Sequence, residues 1–176
     1  MRHNTAKWLG FLLLFVVLAG GCGALRQSAV ERRAEEARVA TLVQQRLDAR
    51  QYQINIEHMY PARGASRYVG GESYSLTVDG DKVNSHLPYM GVAYSVPYGG
   101  GKVLTFQDDI DEYNEEPAKS DSRTIVFATD NDEDIIVFQL TVYVNGKADL
   151  LVRCRNREQI SYRGQLDPDA FPTAEE

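Results

Sequence analysis

Few side chains in this sequence have the types and spacing that acid–base or metal chemistry requires. His58 and His86 both fall on predicted strands and lack the spacing of a metal-binding pair. Asp130, Asp132 and Asp134 match the first positions of a calcium-binding loop, but the glycine and the glutamate needed further on are missing. The other carboxylates have no spacing that would fix the acid pair of a glycosidase. We therefore predict no catalytic residue, no bound metal and no cofactor.

Cys22 is the residue with the clearest chemical role. Two basic residues precede an apolar run over residues 8–18, and three small residues then lead to the cysteine, which is the layout of a secretory signal. The run is shorter than the roughly 20 residues that a membrane-spanning helix needs. The arrangement resembles the bacterial lipobox, with Ala19 where leucine is usual. We expect removal of residues 1–21 and a lipid on Cys22; the alternative is an ordinary secreted protein cut near Gly21.

A lipid on Cys22 makes the membrane the first expected partner. Such a cysteine carries several acyl chains, palmitate among them, whereas one chain gives only marginal binding at about 0.8 kcal/mol per methylene. Gly23 occupies the position where an aspartate would signal retention in the inner membrane, and no acidic cluster follows. We therefore expect a lipid-anchored protein on the periplasmic face of the outer membrane.

Composition limits the remaining partners and the number of domains. Removing residues 1–21 takes away two of the 19 Lys and Arg and none of the 25 Asp and Glu, which leaves 17 minus 25, a formal charge of −8. A nucleic-acid binder would carry the opposite sign. The remaining chain of about 155 residues suffices for one domain with a proper core. Cys154 has no internal partner, and we interpret it as a small buried hydrophobic residue rather than a reactive thiol.

The spacing of apolar residues, three or four positions apart, predicts a single helix from about Ser28 to about Arg50. Ser28 and Glu31 have the spacing of a capping box. Charged residues, Arg46 among them, form a predicted solvated face. The apolar residues that fall together on the other face are Val39, Leu42, Val43 and Leu47. The helix is therefore expected to dock on the rest of the domain by its C-terminal half.

After the helix, apolar residues recur at every second position, which predicts antiparallel strands. In the first strand, Tyr52, Ile54, Ile56 and Tyr60 alternate with polar residues, as on one face of a strand. A second strand, Tyr74–Val78, is predicted to return through Val83 and Leu87. The other predicted strands are Val103–Phe106, Thr124–Ala128, Ile135–Val144, Ala148–Cys154 and Gln159–Tyr162. The predicted fold class is α+β: an N-terminal helix followed by an antiparallel β-sandwich or open barrel.

Two tight turns set the expected register. Asp79-Gly80 as a two-residue turn puts Val78 opposite Asp81. Asn145-Gly146 favours a bulge or a longer loop, with Leu140 opposite Val152. The predicted domains are then a signal peptide over 1–21, the anchor and helix over 22–50, a β domain over 51–166 and a disordered tail over 167–176.

The most specific segment is Leu87–Gly101, LPYMGVAYSVPYGGG, which we call the ribbon. Together with Asn145-Gly146, Asn156-Arg157 and Gly164, it resembles lipoproteins catalogued as domain of unknown function 4251, over about Val43 to Leu166. The resemblance implies a lipoprotein signal, a helix and then β-strands. It implies no established activity, so no catalytic residue is transferred.

The ribbon carries three candidate binding residues, Tyr89, Tyr94 and Tyr98. They offer either a stacking platform for a sugar ring or peptide, or structural rings whose hydroxyls bond to backbone. We expect the ribbon to edge the main concavity, with Tyr94 the most buried of the three. The predicted function is a non-catalytic envelope module that binds a small ligand or another envelope protein. The alternative is a cell-wall or glycan hydrolase.

Overall fold

The computed structural model describes residues 29–94, 104–116, 119, 121–130 and 134–171. Cys22, Tyr98 and Asp132 lie outside these residues. Within them one helix, α1, occupies residues 29–48. The strands that follow are β1 (Gln51–Pro61), β2 (Arg67–Tyr68), β3 (Ser75–Asp79), β4 (Lys82–His86), β5 (Thr105–Asp109), β6 (Glu112–Glu115), β7 (Ser122–Asp130), β8 (Ile135–Tyr143), β9 (Lys147–Cys154) and β10 (Ile160–Leu166).

The first part of helix α1 is stabilised by its own ion pairs. The chain divides into two units after Arg38, and the side chains of residues 30–38 are exposed. Arg32 pairs with Glu36, and Arg38 with Glu35, both at 3.5 Å. Pairs at these spacings stabilise a helix by about 0.2–0.5 kcal/mol each. The N-terminal helix is confirmed.

The C-terminal half of α1 docks on the β domain, as predicted. Val43 and Leu47 are fully buried in the core. The prediction for Arg46 was wrong, because this residue is buried rather than solvated. Its guanidinium donates to the carbonyl of Pro168 at 3.4 Å, and its Nε has no hydrogen-bond partner within the described chain. The segment after Leu166, predicted to be a disordered tail, therefore supplies an acceptor to the helix.

The strands form one antiparallel sheet in the order β5-β4-β3-β1-β10-β9-β8-β7-β6, with β2 paired to β1. Only Ile110 and Asp111 separate the two edge strands in the chain. The Ile110 amide donates to Asp81 on one side, and the Asp111 amide donates to Ala128 on the other. One bent segment thus reaches both edges, and the sheet curves into a half-barrel. The predicted open barrel fits; the sandwich is not confirmed, because the described strands belong to a single sheet.

The core fills the concave face of this sheet. The Tyr52 hydroxyl lies 3.4 Å from that of Tyr113, and the rings of Phe127 and Phe138 stack at 4.8 Å. Phe106 reaches the same cluster from the opposite edge, 6.4 Å from Phe138. Burial raises the pKa of Tyr52 well above its ordinary value. Burying side chains of this size contributes about 1.5–3 kcal/mol each, so these rings carry much of the stability.

The β3–β4 hairpin is present with a turn one residue later than predicted. Val78 pairs with Val83 rather than with Asp81, and Gly80-Asp81 forms the turn. The φ of Gly80 is 61°, the sign that a type II′ turn needs at its first position. The same apolar residues still share the core face, because the pairing moves by an even number of positions.

The β8–β9 hairpin has a loop longer than two residues, as predicted. Leu140 pairs with Leu150, however, and not with Val152. The amide of Gly146 donates to the Tyr143 carbonyl at 2.9 Å, so the three-residue loop begins one position earlier than the predicted alignment requires. Both leucines remain in the core.

A bulge in β1 reverses the orientation expected for Tyr60. The register of β1 against β10 shifts between Ile56 and His58, so one extra residue changes the phase of the alternation. Met59 points into the core and is 3% exposed, whereas Tyr60 is 37% exposed. Gly164 lies opposite Ile56 at this point, and the absence of a Cβ lets the two backbones approach closely.

Candidate functional site

The described part of the ribbon runs against the β9–β10 connection. Ala93 forms an antiparallel bridge with Arg157. The Tyr94 amide donates to the Asn156 carbonyl at 2.7 Å, and the Glu158 amide donates to the Val92 carbonyl at 3.1 Å. The described part of the ribbon therefore pairs with this connection outside the main sheet, which the sequence pattern did not indicate.

The ribbon tyrosines separate into different roles, but not in the predicted order. Tyr89 is half-buried, and its hydroxyl donates to the Glu158 carbonyl at 3.0 Å. Tyr94 is 69% exposed, so the prediction that it is the most buried was wrong. The bridge at Ala93 explains this, because it directs the following side chain toward solvent. Tyr98 lies outside the described residues, and whether any of the three binds a ligand stays a prediction.

A buried polar cluster holds the ribbon in place. The side chains of Asp134 and Arg157 are 3% and 4% exposed and lie 3.6 Å apart. Asp134 also accepts the Asn156 amide at 3.2 Å, and Glu158 accepts the Val92 amide at 3.3 Å. Arg63 pairs with Glu158 at 3.0 Å. These carboxylates serve loop structure, which accounts for Asp134 without a calcium ion.

Cys154 lies beside this cluster and packs against the core. Burial, with a smaller contribution from Asp134, raises the pKa of the Cys154 thiol to about 11, while Arg157 opposes the shift. A thiol with such a pKa is almost wholly protonated at neutral pH and is a poor nucleophile. The structure thus agrees with a packing role for Cys154.

A groove of about 310 Å³ crosses the outer face of β1, β10, β9 and β8. Most of its lining comes from two rows of residues that are paired across these strands. The first row is Tyr60, Ser161, Leu151 and Gln139, and the second is His58, Arg163, Asp149 and Thr141. Seven of these residues line the groove, together with Leu150 and Tyr162, and the His58 ring lies beside that of Tyr60. The bulge in β1 is what places Tyr60 and His58 on this face.

Charged and aromatic side chains of the groove contact one another. Arg163 donates to the Asp149 carboxylate at 3.0 Å and lies over the Tyr60 ring at 5.7 Å. The Tyr143 hydroxyl also donates to Asp149, at 3.1 Å, and this bond raises the pKa of Tyr143. The guanidinium and carboxylate therefore neutralise each other within the groove.

Rings gather at the β1 end of the groove. The His58 ring lies 6.3 Å from that of Tyr60 and 5.2 Å from that of Tyr68, which is 70% exposed. The Nδ1 atom of His58 is buried and has no hydrogen-bond partner among the residues placed in the structure. Sequence reasoning missed this cluster, because the alternation assigned Tyr60 to the core side.

A second, more polar cavity of about 500 Å³ lies between β1 and residues 70–75. Its carboxylates are Glu57, Glu72 and Asp167. The first two are exposed, and Asp167 accepts a hydrogen bond from the Asn55 amide at 2.9 Å. Within the described ranges, no group of three His, Cys, Asp or Glu side chains could hold a metal ion.

Comparison with known proteins identifies the family. A family model described as Domain of unknown function (DUF4251) matches residues 33–166. The chain belongs to the DUF4251 family. The DUF4251 resemblance expected from the ribbon and the glycines is thereby confirmed. No curated protein matches the chain.

A solved DUF4251 structure supports the fold. The chain is similar to a DUF4251 family protein from Bacteroides eggerthii DSM 20697, whose crystal structure was determined at 1.95 Å, with a TM-score of 0.55 and 16% identity. The match covers 76% of this chain and 89% of the other. At that identity the likeness concerns the DUF4251 fold alone. No helix in the described part of the chain is long and apolar enough to cross a membrane.

Proposed function

We propose that this DUF4251 protein is a non-catalytic binding module, anchored by lipid on Cys22 to the periplasmic face of the outer membrane. Its binding surface is the outer groove, where a small ligand or a group on another envelope protein is held. One observation carries the proposal: the β1 bulge turns Tyr60 out of the core and into a groove that already holds Arg163 and Asp149.

A bulge at this place favours binding for a physical reason. It interrupts the ladder and exposes a large ring that the regular alternation would have buried, and bulges are common beside functional sites because they re-aim side chains. The groove volume of about 310 Å³ is at the lower end of the range for small-molecule sites. A ring such as Tyr60, 37% exposed beside the guanidinium of Arg163, is a typical anchor for a ligand.

The hydrolase alternative would need an acid and a base of different pKa facing one cavity. Asp134 and Glu158, the two buried carboxylates among the residues that the structure describes, accept backbone amides in the ribbon cluster. In the second cavity, Glu57 and Glu72 are exposed to solvent, and Asp167 is bonded to the side-chain amide of Asn55. Among the described residues that line the groove, Asp149 is the one acid. Binding is therefore the better supported function.

The test uses photo-crosslinking of the full chain in intact cell envelopes. A benzophenone amino acid replaces Ser161, in the groove, or Ser75, a matched half-buried serine that lines the second cavity. We expect a discrete adduct from position 161 and none from position 75. Adducts from position 75 alone, or from neither position, would overturn the proposal. Palmitate labelling and membrane fractionation of the same cells test the anchor and the compartment.

A further inference from the structure

The groove lies in the middle of the sheet, which limits what can bind there. In the strand order, β1, β10, β9 and β8 each have neighbours on both sides. Their backbone amides and carbonyls are therefore used by the ladder. A peptide that binds as an added strand needs a free sheet edge. Recognition in the groove must come from side chains, so an extended peptide is not the ligand that this surface fits.

The charges of the groove also argue against an anionic ligand. Arg163 donates through Nε to Asp149 at 3.0 Å, and Arg153, beside the groove, donates to Gln139 at 3.2 Å. Asp149 accepts the Tyr143 hydroxyl as well. An anion bound to Arg163 would lie beside the Asp149 carboxylate, and two like charges repel each other. The paired groups offer a carboxylate acceptor and a planar set of donors with no net charge between them.

The remaining lining is typical of a surface for hydroxyl groups. Ser161 and Thr141 carry hydroxyls, and Gln139 carries an amide whose oxygen accepts from Arg153 at 3.2 Å. Tyr60 is the ring at one end. Such groups both donate and accept, as the hydroxyls of a sugar do, and an aromatic ring packs on the apolar face of a sugar ring.

We infer that the groove binds an uncharged saccharide, with a sugar ring against Tyr60 and its hydroxyls bonded to Asp149 and Arg163. This inference rests on the proposed function and names the ligand class for the same surface. The Asp149–Arg163 pair belongs to the row of residues next to that of Tyr60, so the ring and the charged groups are close enough to contact one sugar.

Titration of the full chain in detergent with neutral trisaccharides tests the inference. Maltotriose and the trimer of N-acetylglucosamine are followed by saturation-transfer NMR, with inositol hexakisphosphate as the anionic comparison. We expect saturable binding of at least one neutral trisaccharide. Tyr60→Ala should raise its Kd about tenfold, and Gln139→Ala by a smaller factor. Tyr94→Ala is the matched control, because this tyrosine is exposed and lies outside the groove, and its Kd should be unchanged.

The outcomes separate this inference from the proposed function. Binding of the phosphate alone, or no binding of either neutral sugar, overturns the saccharide class. The same holds if Tyr60→Ala and Tyr94→Ala weaken binding equally. If crosslinking from position 161 persists in any of these cases, the groove still binds something and the proposed function stands. If crosslinking from position 161 is also absent, both fall.

Discussion

Substitution of Gly164 by alanine tests the close approach of β1 and β10 at the bulge. A Cβ at this position would lie 2.1 Å from the carbonyl oxygen of Asn55 and 3.2 Å from Cγ2 of Ile54. The first contact involves backbone, so no side chain can turn aside. The strands would have to part by about 0.9 Å to reach 3.0 Å, a distance below which a Cβ is essentially never found. We expect a loss of about 3 kcal/mol, the upper part of the range for overpacking.

Urea and thermal unfolding of the full chain, followed by circular dichroism, measure this loss. The expected 3 kcal/mol corresponds to a Tm lowered by roughly 6–12 °C. Gly71→Ala is the matched control, because a Cβ there meets no atom within 4 Å and the residue is exposed. It should change stability by less than about 0.5 kcal/mol. If Gly164→Ala has the same Tm and the same urea midpoint as Gly71→Ala, the bulge geometry is refuted.

Three other predictions concern the buried groups and the anchor. Burial raises the pKa of Cys154 to about 11, so native protein should react slowly with maleimide at pH 7 and faster toward pH 11; rapid labelling at pH 7 would contradict this. Because that folded-state pKa lies above the ordinary 9.0, the contribution of the thiol to stability is complete below pH 9 and is lost as the pH rises to about 11. Arg157→Met should cost about 3–5 kcal/mol by removing the cation beside buried Asp134. The double variant with Asp134→Leu should cost less than the sum, and simple additivity would refute the coupling. Cys22→Ser should abolish palmitate labelling and leave a larger precursor; unchanged labelling would contradict the lipid anchor.

Local patterns were sufficient to predict most of the elements. Val43 and Leu47 share one helical face, and alternation in β8 and β9 separates core from surface, because each element buries one side. The β3–β4 hairpin could be predicted because Gly80 permits a positive φ that other residues disfavour. Its exact register could not, since both alignments keep the same apolar residues on the core face.

The groove could not be predicted, because it depends on a contact between distant residues. The bulge in β1 exists where Gly164 admits the backbone of Asn55, and these residues are far apart in the chain. Two local signals were available. Met59 is apolar, although in a regular strand it would lie on the face opposite to Ile56, and a glycine within a strand often marks a bulge. Neither indicates by itself which strand bends.

Strand β6 and the buried arginine escaped prediction for related reasons. Glu112–Glu115 forms an edge strand in which Tyr113 alone is apolar, so the segment has too little alternation to be recognised. Arg46 is buried because its guanidinium meets the Pro168 carbonyl, 122 residues further along. A helical wheel assigns a charged residue to solvent and contains no information about such a partner.

The central claim is that the outer groove, and not the ribbon, is the binding surface. Its most direct test is crosslinking from position 161 in intact envelopes, repeated with Tyr60→Ala and with Tyr94→Ala. We predict that the adduct disappears with Tyr60→Ala and persists with Tyr94→Ala. An adduct that persists with Tyr60→Ala but disappears with Tyr94→Ala would contradict the claim and assign binding to the ribbon.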